Sequence, residues 1–512
     1  MRTLFRVAAL SFIGGYVQPV PQSLVEYGGS TYQMRQASFQ DLVLTPANVN
    51  SSTFGKLQSI TLDGGQIYAQ PLFVQGVTIG TGTYDMVLVA TMNNTLWAID
   101  ANAYTTLWKV NFGGTWTGYP NYSGSENSFY ENTPMGCVST PAVDRNNGLI
   151  YSVCPTNTGT WVLRKLRLSS GATVASVNIS GQFPGTGDSG DTVIDGQLQF
   201  YSAQHLNRPG LVLANGNVYV AFSSFSDEHP WHGWVFAYSQ TSLSQVAVWC
   251  STPNGYGGGI WLTGDAPAVD PAGNIYVSTG NGDYDGSANF ADSVMKLSPT
   301  LAVVDWFTPS NYADMEANDW DATSGQVMLS PDGMVFAADK NFREYVLQQN
   351  CMGHLQGSAS SCSPQLVSIS TTSCPLHACG IYGGLYFQNF VYIPEDAGPI
   401  FSYAYSGGTL AGSPAAQTSA TFGHPGARIV MSANGQTNAV LWAETATSSA
   451  FDTAQPGVLR AFNPSTLSEL YNSTENAGDT LGTFAKMSTP VIINGHVWAP
   501  TGDGTIVVYG LK

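Results

Sequence analysis

From about residue 55 onward the apolar positions fall into short runs broken by Gly, Ser, Thr, Asn and Asp, and no long stretch carries the 3.6-residue spacing of an amphipathic helix. One unit recurs. It consists of a short apolar strand, a turn, a β-branched or aromatic strand, a loop, a third strand carrying a polar residue, a small-residue turn and an apolar fourth strand. Units of this kind cover residues 69–112, 139–179, 209–250, 266–307, 327–347, 383–409, 428–471 and 489–511. The third-to-fourth strand signature is plainest in Leu96-Trp97-Ala98-Ile99-Asp100, Val235-Phe236-Ala237-Tyr238 and Leu459-Arg460-Ala461-Phe462.

A blade-sized repeat of four strands predicts an all-β chain built as a single β-propeller of eight blades. The last unit supplies only three strands, at 490–493, 496–500 and 505–509, while residues 56–62 offer one unassigned strand near the other end. Pairing the two closes the ring and leaves no free sheet edge at the seam. The expected organisation is therefore a leader over residues 1–22, an extension over 23–54 and the propeller over 55–512.

Composition agrees with this pattern and narrows the function. Of 512 residues, 56 are Gly and 27 Pro, and only 10% are charged against 43% hydrophobic, as many tight turns and few solvated helices require. The net charge of -17 repels phosphate backbones and anionic lipid, which excludes nucleic acid as a partner class. Arg2 and Arg6 followed by an apolar run from Val7 to Val17 have the order of a secretory signal, so a secreted or periplasmic location is expected. No later stretch is long and apolar enough to span a bilayer as a helix. Cys351, Cys362, Cys374 and Cys379 cluster, Cys137 and Cys154 flank a predicted hairpin, and Cys250 is left over; without a Cys-x-x-Cys pair, disulfides are expected rather than zinc. Glycosylation sequons stand at Asn50, Asn93, Asn121, Asn178 and Asn472.

Four unusual segments fall in consecutive units: Ser226-Asp227-Glu228-His229-Pro230-Trp231-His232-Gly233-Trp234-Val235; Gly257-Gly258-Gly259-Ile260-Trp261 with Thr279-Gly280-Asn281-Gly282; Asn318-Asp319-Trp320-Asp321; and Ala338-Asp339-Lys340-Asn341. Their order and content resemble the pyrroloquinoline-quinone (PQQ) dependent alcohol dehydrogenases, eight-bladed quinoprotein propellers, over roughly residues 220–350. The resemblance implies PQQ and Ca2+ as cofactors, with Glu228, Asn281 and Asp321 as calcium ligands and Asp321 also as the base. It implies Trp261 as the platform under the quinone and Lys340 as the cation beside its oxygens. The chain departs from that pattern in three ways. No two cysteines are adjacent, His232 stands where the family has an Arg, and no Cys-x-x-Cys-His haem site exists, so electrons would pass to a separate acceptor.

The residue chemistry suits those roles. Calcium takes hard oxygen ligands, which Glu, Asp and an Asn amide supply; an indole offers a flat surface to a quinone; a carboxylate can accept the hydroxyl proton of an alcohol or sugar. Each residue also has a plainer reading, since Asn in a Thr-Gly-Asn-Gly turn caps its own backbone, Trp261 can be blade packing, and Asp319 can replace Asp321 as the functional acid. The expected function is extracytoplasmic oxidation of an alcohol or sugar hydroxyl. The alternative class is a non-catalytic propeller that binds a protein or glycan partner through the aromatic loops at 116–130 and 231–234; a third is a hydrolase or lyase using Glu228, His229 or Asp321. A transition-metal site from His205, His229 and His232 lacks suitable spacing.

Overall fold

The computed structural model describes residues 23–24, 33, 36–38, 41–118, 134–225, 227–321, 325–358, 362–369, 380–451 and 453–512. The expected leader at 1–22, Cys374 and Cys379 lie outside the described residues.

Strands dominate, and among the described residues they gather into eight sheets of four or more strands plus one of three. The first sheet shows the plan: Leu72–Ile79, Gly82–Thr91, Thr95–Asp100 and Thr106–Asn111 pair as an antiparallel meander. The following sheets begin at Ala142–Asp144, Val212–Ala214, Ala268–Val269, Met328–Leu329, Leu385–Phe387, Arg428–Asn434 and Val491–Ile493, each the first strand of its own meander. In the eighth sheet the fourth place is taken by Phe54–Thr61, antiparallel to the last strand Thr505–Leu511 from Phe54 opposite Leu511 to Thr61 opposite Thr505.

The burial of successive strands explains the hydrophobic pattern. Thr95–Asp100 is buried at every position, whereas the outer strand Thr106–Asn111 never is. A middle strand is covered on both faces by neighbouring sheets, so alternation of side chains assigns its residues to two cores instead of to core and water. Val87 and Val89 thus pack with Trp442 and Val507 of the seventh and eighth sheets, while Met86 and Leu88 pack with Ile150 and Leu166 of the second. The same sharing links second to third, third to fourth and fifth, fifth to sixth, and sixth to seventh.

Two disulfides, Cys137–Cys154 and Cys351–Cys362, staple this frame, and Cys250 is free and buried. No helix among the described residues is long and apolar enough to cross a membrane. One sequence expectation is corrected here: Trp116, Trp231 and Trp234 do not form an aromatic contact surface. They are 4%, 3% and 0% exposed, because Trp234 stacks on Phe236 in the third sheet's core and Trp116 packs edge-on against Phe225. Residues 119–130 of the first of those loops lie outside the described residues.

Candidate functional site

The site is assembled where the third, fourth and fifth sheets present their loops on the same side. Asn281 follows the second strand of the fourth sheet, Ile275–Ser278; Lys340 follows the second strand of the fifth, Met334–Ala338; Trp261 and Asp321 precede the first strands of those two sheets.

Glycine lets two of these loops touch. A Cβ on Gly282, whose φ is +146°, would stand 2.4 Å from the Tyr256 carbonyl oxygen, and one on Gly257 would stand 2.3 Å from that of Asn281. The Asn281 carbonyl accepts the Gly258 N–H at 2.6 Å through this contact. The glycine-rich segment and the Thr-Gly-Asn-Gly turn are therefore one unit, and only residues without a side chain permit so close a backbone approach. Gly280 lies between two expected site residues, since a Cβ there would meet Asp321 Oδ1 at 3.2 Å and Trp261 Cδ1 at 3.4 Å.

Lys340 is presented by a turn that Asp339 locks. Asp339 Oδ1 accepts the N–H groups of Asn341 and Arg343, both at 2.9 Å, and its Oδ2 accepts the Tyr345 hydroxyl and Arg343 Nε, both at 2.7 Å. Arg343 also reaches Asn311 Oδ1 at 3.1 Å, next to the short helix Tyr312–Asn318, which ends in Asp319 at φ +55°. Aspartate tolerates that left-handed position better than most side chains. The helix end, the Asp319-Trp320-Asp321 segment and the Lys340 turn are thereby fixed to one another, and the Lys340 N–H donates to the Trp320 carbonyl at 3.1 Å.

The result is a compact charged cluster. Lys340 Nζ stands 2.9 Å from Asp319 Oδ1 and 2.7 Å from Asp321 Oδ2, with the lysine 12% and the Asp321 side chain 7% exposed. Asp321 Oδ1 accepts the Asn281 N–H at 3.1 Å, and Asn281 Nδ2 donates to Asp319 Oδ1 at 2.8 Å. Both Asp321 oxygens are engaged. Asp319 places both its bonds on Oδ1 and is 47% exposed. The Asn281 amide oxygen is buried and has no hydrogen-bond partner among the described residues.

Burial opposes the charge on Lys340, and the Asp321 and Asp319 carboxylates override it, holding the ammonium well above the ordinary lysine range. Burial lifts Asp319 to about 6, with Lys340 pulling it down and Asp321 adding to the rise. Asp227 is lifted to about 7, first by desolvation and then by Asp321. Asp227 is exposed, and its Oδ1 accepts the Ser224 hydroxyl at 2.7 Å.

Of the five residues singled out by sequence, Asn281, Asp321 and Lys340 are thus in direct contact, and Trp261 is half-buried beside Gly280. Glu228 is not brought into the cluster: among the described residues its half-buried carboxylate makes no hydrogen bond or ion pair. The acid that senses Asp321 is its neighbour Asp227, at φ +52°. Sequence reasoning missed Asp227 because adjacent residues are directed apart by a backbone reversal that no composition signals. His232, standing where the resemblance has an Arg, is buried in a chain of its own, with Nε2 2.8 Å from Asp191 Oδ2 and Nδ1 3.0 Å from Thr252 Oγ1.

No family model and no curated protein sequence matches the chain. Solved structures do. The quinohemoprotein alcohol dehydrogenase of Comamonas testosteroni superposes with a TM-score of 0.61 at 15% identity, over 95% of this chain and 80% of that one. The quinohemoprotein alcohol dehydrogenase ADHIIG of Pseudomonas putida HK5 gives 0.56 at 14%, over 96% and 80%. Sqt1 of Saccharomyces cerevisiae gives 0.52 at 9%, over 90% and 100%. At these identities the likeness is one of fold, and the fold of this chain is similar to that of the β-propeller quinoproteins.

Proposed function

We propose that the eight larger sheets are the blades of one closed propeller and that its loop-bearing mouth is the active site of a PQQ- and calcium-dependent dehydrogenase, working outside the cytoplasm on an alcohol or sugar hydroxyl. Ring closure is supported by the shared cores, which run from each sheet to the next and from the eighth back to the first, and by the pairing of Phe54–Thr61 with Thr505–Leu511.

The observation that carries the active-site reading is the Asn281 amide oxygen. A buried acceptor without a donor costs about 1–3 kcal/mol, and this one lies in the residue that bridges the Asp319 carboxylate and the Asp321 carboxylate. An amide oxygen and a carboxylate belong to the hard donor set a calcium ion takes, with further ligands left to a bound cofactor. The residues present fit the group. Asn281 and Asp321 would hold the cation, and Trp261 would offer its ring face to the quinone; a Glu228 ligand would require its side chain to turn from where it stands.

Bound PQQ supplies the two-electron oxidising chemistry. The chain's own residues position and deprotonate. Asp321, with both oxygens engaged and nearly no exposure, acts as an anchor, whereas Asp319 has an unengaged oxygen at the mouth and an affinity for protons near neutrality. That assigns proton acceptance from the substrate hydroxyl to Asp319 in place of the Asp321 expected from sequence. Lys340 fixes both carboxylates and lends positive charge to the site.

The test is titration of the purified protein with PQQ and calcium, followed by dye reduction with a panel of alcohols and sugars. Calcium-dependent PQQ binding that is lost in Asn281→Ala, and turnover that falls at least 100-fold in Asp319→Asn with binding retained, are the expected results. Absence of PQQ binding overturns the dehydrogenase reading and leaves a propeller whose protein or glycan partner is to be sought by capture.

A further inference from the structure

Among the described residues the first strand of each sheet is bonded on one side only, with its other edge toward the centre of the ring, except in the first and seventh sheets; in the first, Ser23–Leu24 pairs with that edge of Leu72–Ile79. At the seventh sheet that edge is taken. Gln36–Ser38 runs parallel to Arg428–Asn434, with Gln36 opposite Met431 and Ser38 opposite Ser432. The same three residues lie against the first strands of the sixth and eighth sheets, Leu385–Phe387 and Val491–Ile493, which also touch Arg428–Asn434. A strand that meets the first strands of three consecutive sheets at once lies on the inside of the ring.

The flanking residues extend the path at both ends. Gln33 is fully buried, and its carbonyl accepts the amide of Gln326, which precedes the first strand of the fifth sheet. Gln326 in turn accepts the Gly384 N–H at 3.1 Å, and the adjoining Tyr382 carbonyl accepts the Thr263 hydroxyl at 2.9 Å, two residues from Trp261. Gln33 is therefore on the side of the candidate site. Asp41 is at the other end: its N–H donates to the Ala433 carbonyl at 3.0 Å and its Oδ2 accepts the Gly495 N–H at 3.1 Å, in the turn between the first two strands of the eighth sheet. Its Oδ1 accepts the N–H groups of Val43 and Leu44 at 2.8 and 2.9 Å, turning the chain outward to the core around Phe54. Eight residues from Gln33 to Asp41 reach about 26–29 Å when extended, enough to traverse a channel lined by first strands of eight residues or fewer.

We propose that Gln33, Gln36–Ser38 and Asp41 mark an internal plug, the chain's own N-terminal segment threaded down the propeller channel beneath the candidate site. It satisfies the open edge of the seventh sheet by strand addition. It also makes the site a pocket with one mouth, on the side where Asp227 and Asp319 meet water. The ligand class follows: a small hydroxyl compound that enters and leaves by the same opening, and not a glycan or peptide chain passing through the ring. The inference rests on the eight sheets forming that ring, and not on any cofactor being bound.

Hydrogen exchange read by mass spectrometry on the full chain, without PQQ or calcium, tests it. Peptides covering residues 36–44 are expected to exchange at least 100-fold more slowly than a free chain. Asp41→Ala, which removes three hydrogen bonds at the lower end, is expected to speed exchange in 36–44 and in 428–434 together while leaving 217–224 unchanged, the last serving as the check that the variant is folded. Free-chain exchange of 36–44 in the parent protein overturns the plug. So does an Asp41→Ala variant that opens 36–44 with no change in 428–434. Neither outcome depends on cofactor titration, so the plug and the dehydrogenase reading stand or fall separately.

Discussion

Replacing Lys340 by Met removes the cation that holds Asp319 and Asp321 together while keeping most of the side chain's volume. At 2.7 Å and an effective dielectric of about 20, the Asp321 contact alone is worth about 6 kcal/mol of gross attraction. Much of that is offset by desolvation, and truncating one member of a buried pair typically costs about 3–5 kcal/mol. The lower end applies, about 3 kcal/mol, because Asp319 is half exposed and its share is screened by water. The penalty has a definite pH dependence. Without the ammonium, Asp319, already lifted by burial, binds a proton more readily folded than unfolded, so the loss is greatest at pH 7 and shrinks as it is protonated toward pH 4. Urea denaturation of the parent and Lys340→Met proteins at both pH values measures it. A loss under 0.5 kcal/mol at pH 7, or a loss of equal size at pH 4, would refute the claim that this lysine neutralises the two acids.

Other perturbations test separate parts of the structure. Gly282→Ala drives a Cβ to 2.4 Å from the Tyr256 carbonyl at φ +146°, and is expected to lower the melting temperature and abolish PQQ binding, whereas Gly286→Ala, in a half-buried turn at φ +69°, is expected to lower the melting temperature while retaining binding. Asp227 has a raised folded pKa, so its contribution to stability is full below about pH 4 and is lost as pH rises toward 7; Asp227→Asn is expected to flatten the melting temperature over that window, and an unchanged slope counts against the coupling of Asp227 to Asp321. Cys137→Ser with Cys154→Ser opens a loop of 17 residues and is expected to cost about 3 kcal/mol by denaturation, with no effect on the site.

The sequence by itself determined the all-β class and the repeat, because a strand covered on both faces is apolar through its middle and the outer strand need not be. Val87 and Met86 show why: alternate residues belong to different cores, so the run is continuous and legible without coordinates. The seam between residues 54–61 and the last strand was also legible, since a unit one strand short asks for a partner. So was the set Asn281, Asp321 and Lys340, whose spacing across two repeats survives as contact. Tertiary structure decided the rest. Whether Asp227 or Glu228 faces the acids depends on one left-handed residue, and whether Asp319 or Asp321 keeps a free oxygen depends on where the Asn281 amide and Lys340 arrive from other loops. The placement of Gln33 and Asp41 depends on partners some 290 to 450 residues away in the chain, as the Gln326 and Gly495 bonds show. Local pattern carries information over the few residues a strand or turn spans; bonds of that separation are fixed only when sheets distant in sequence come together.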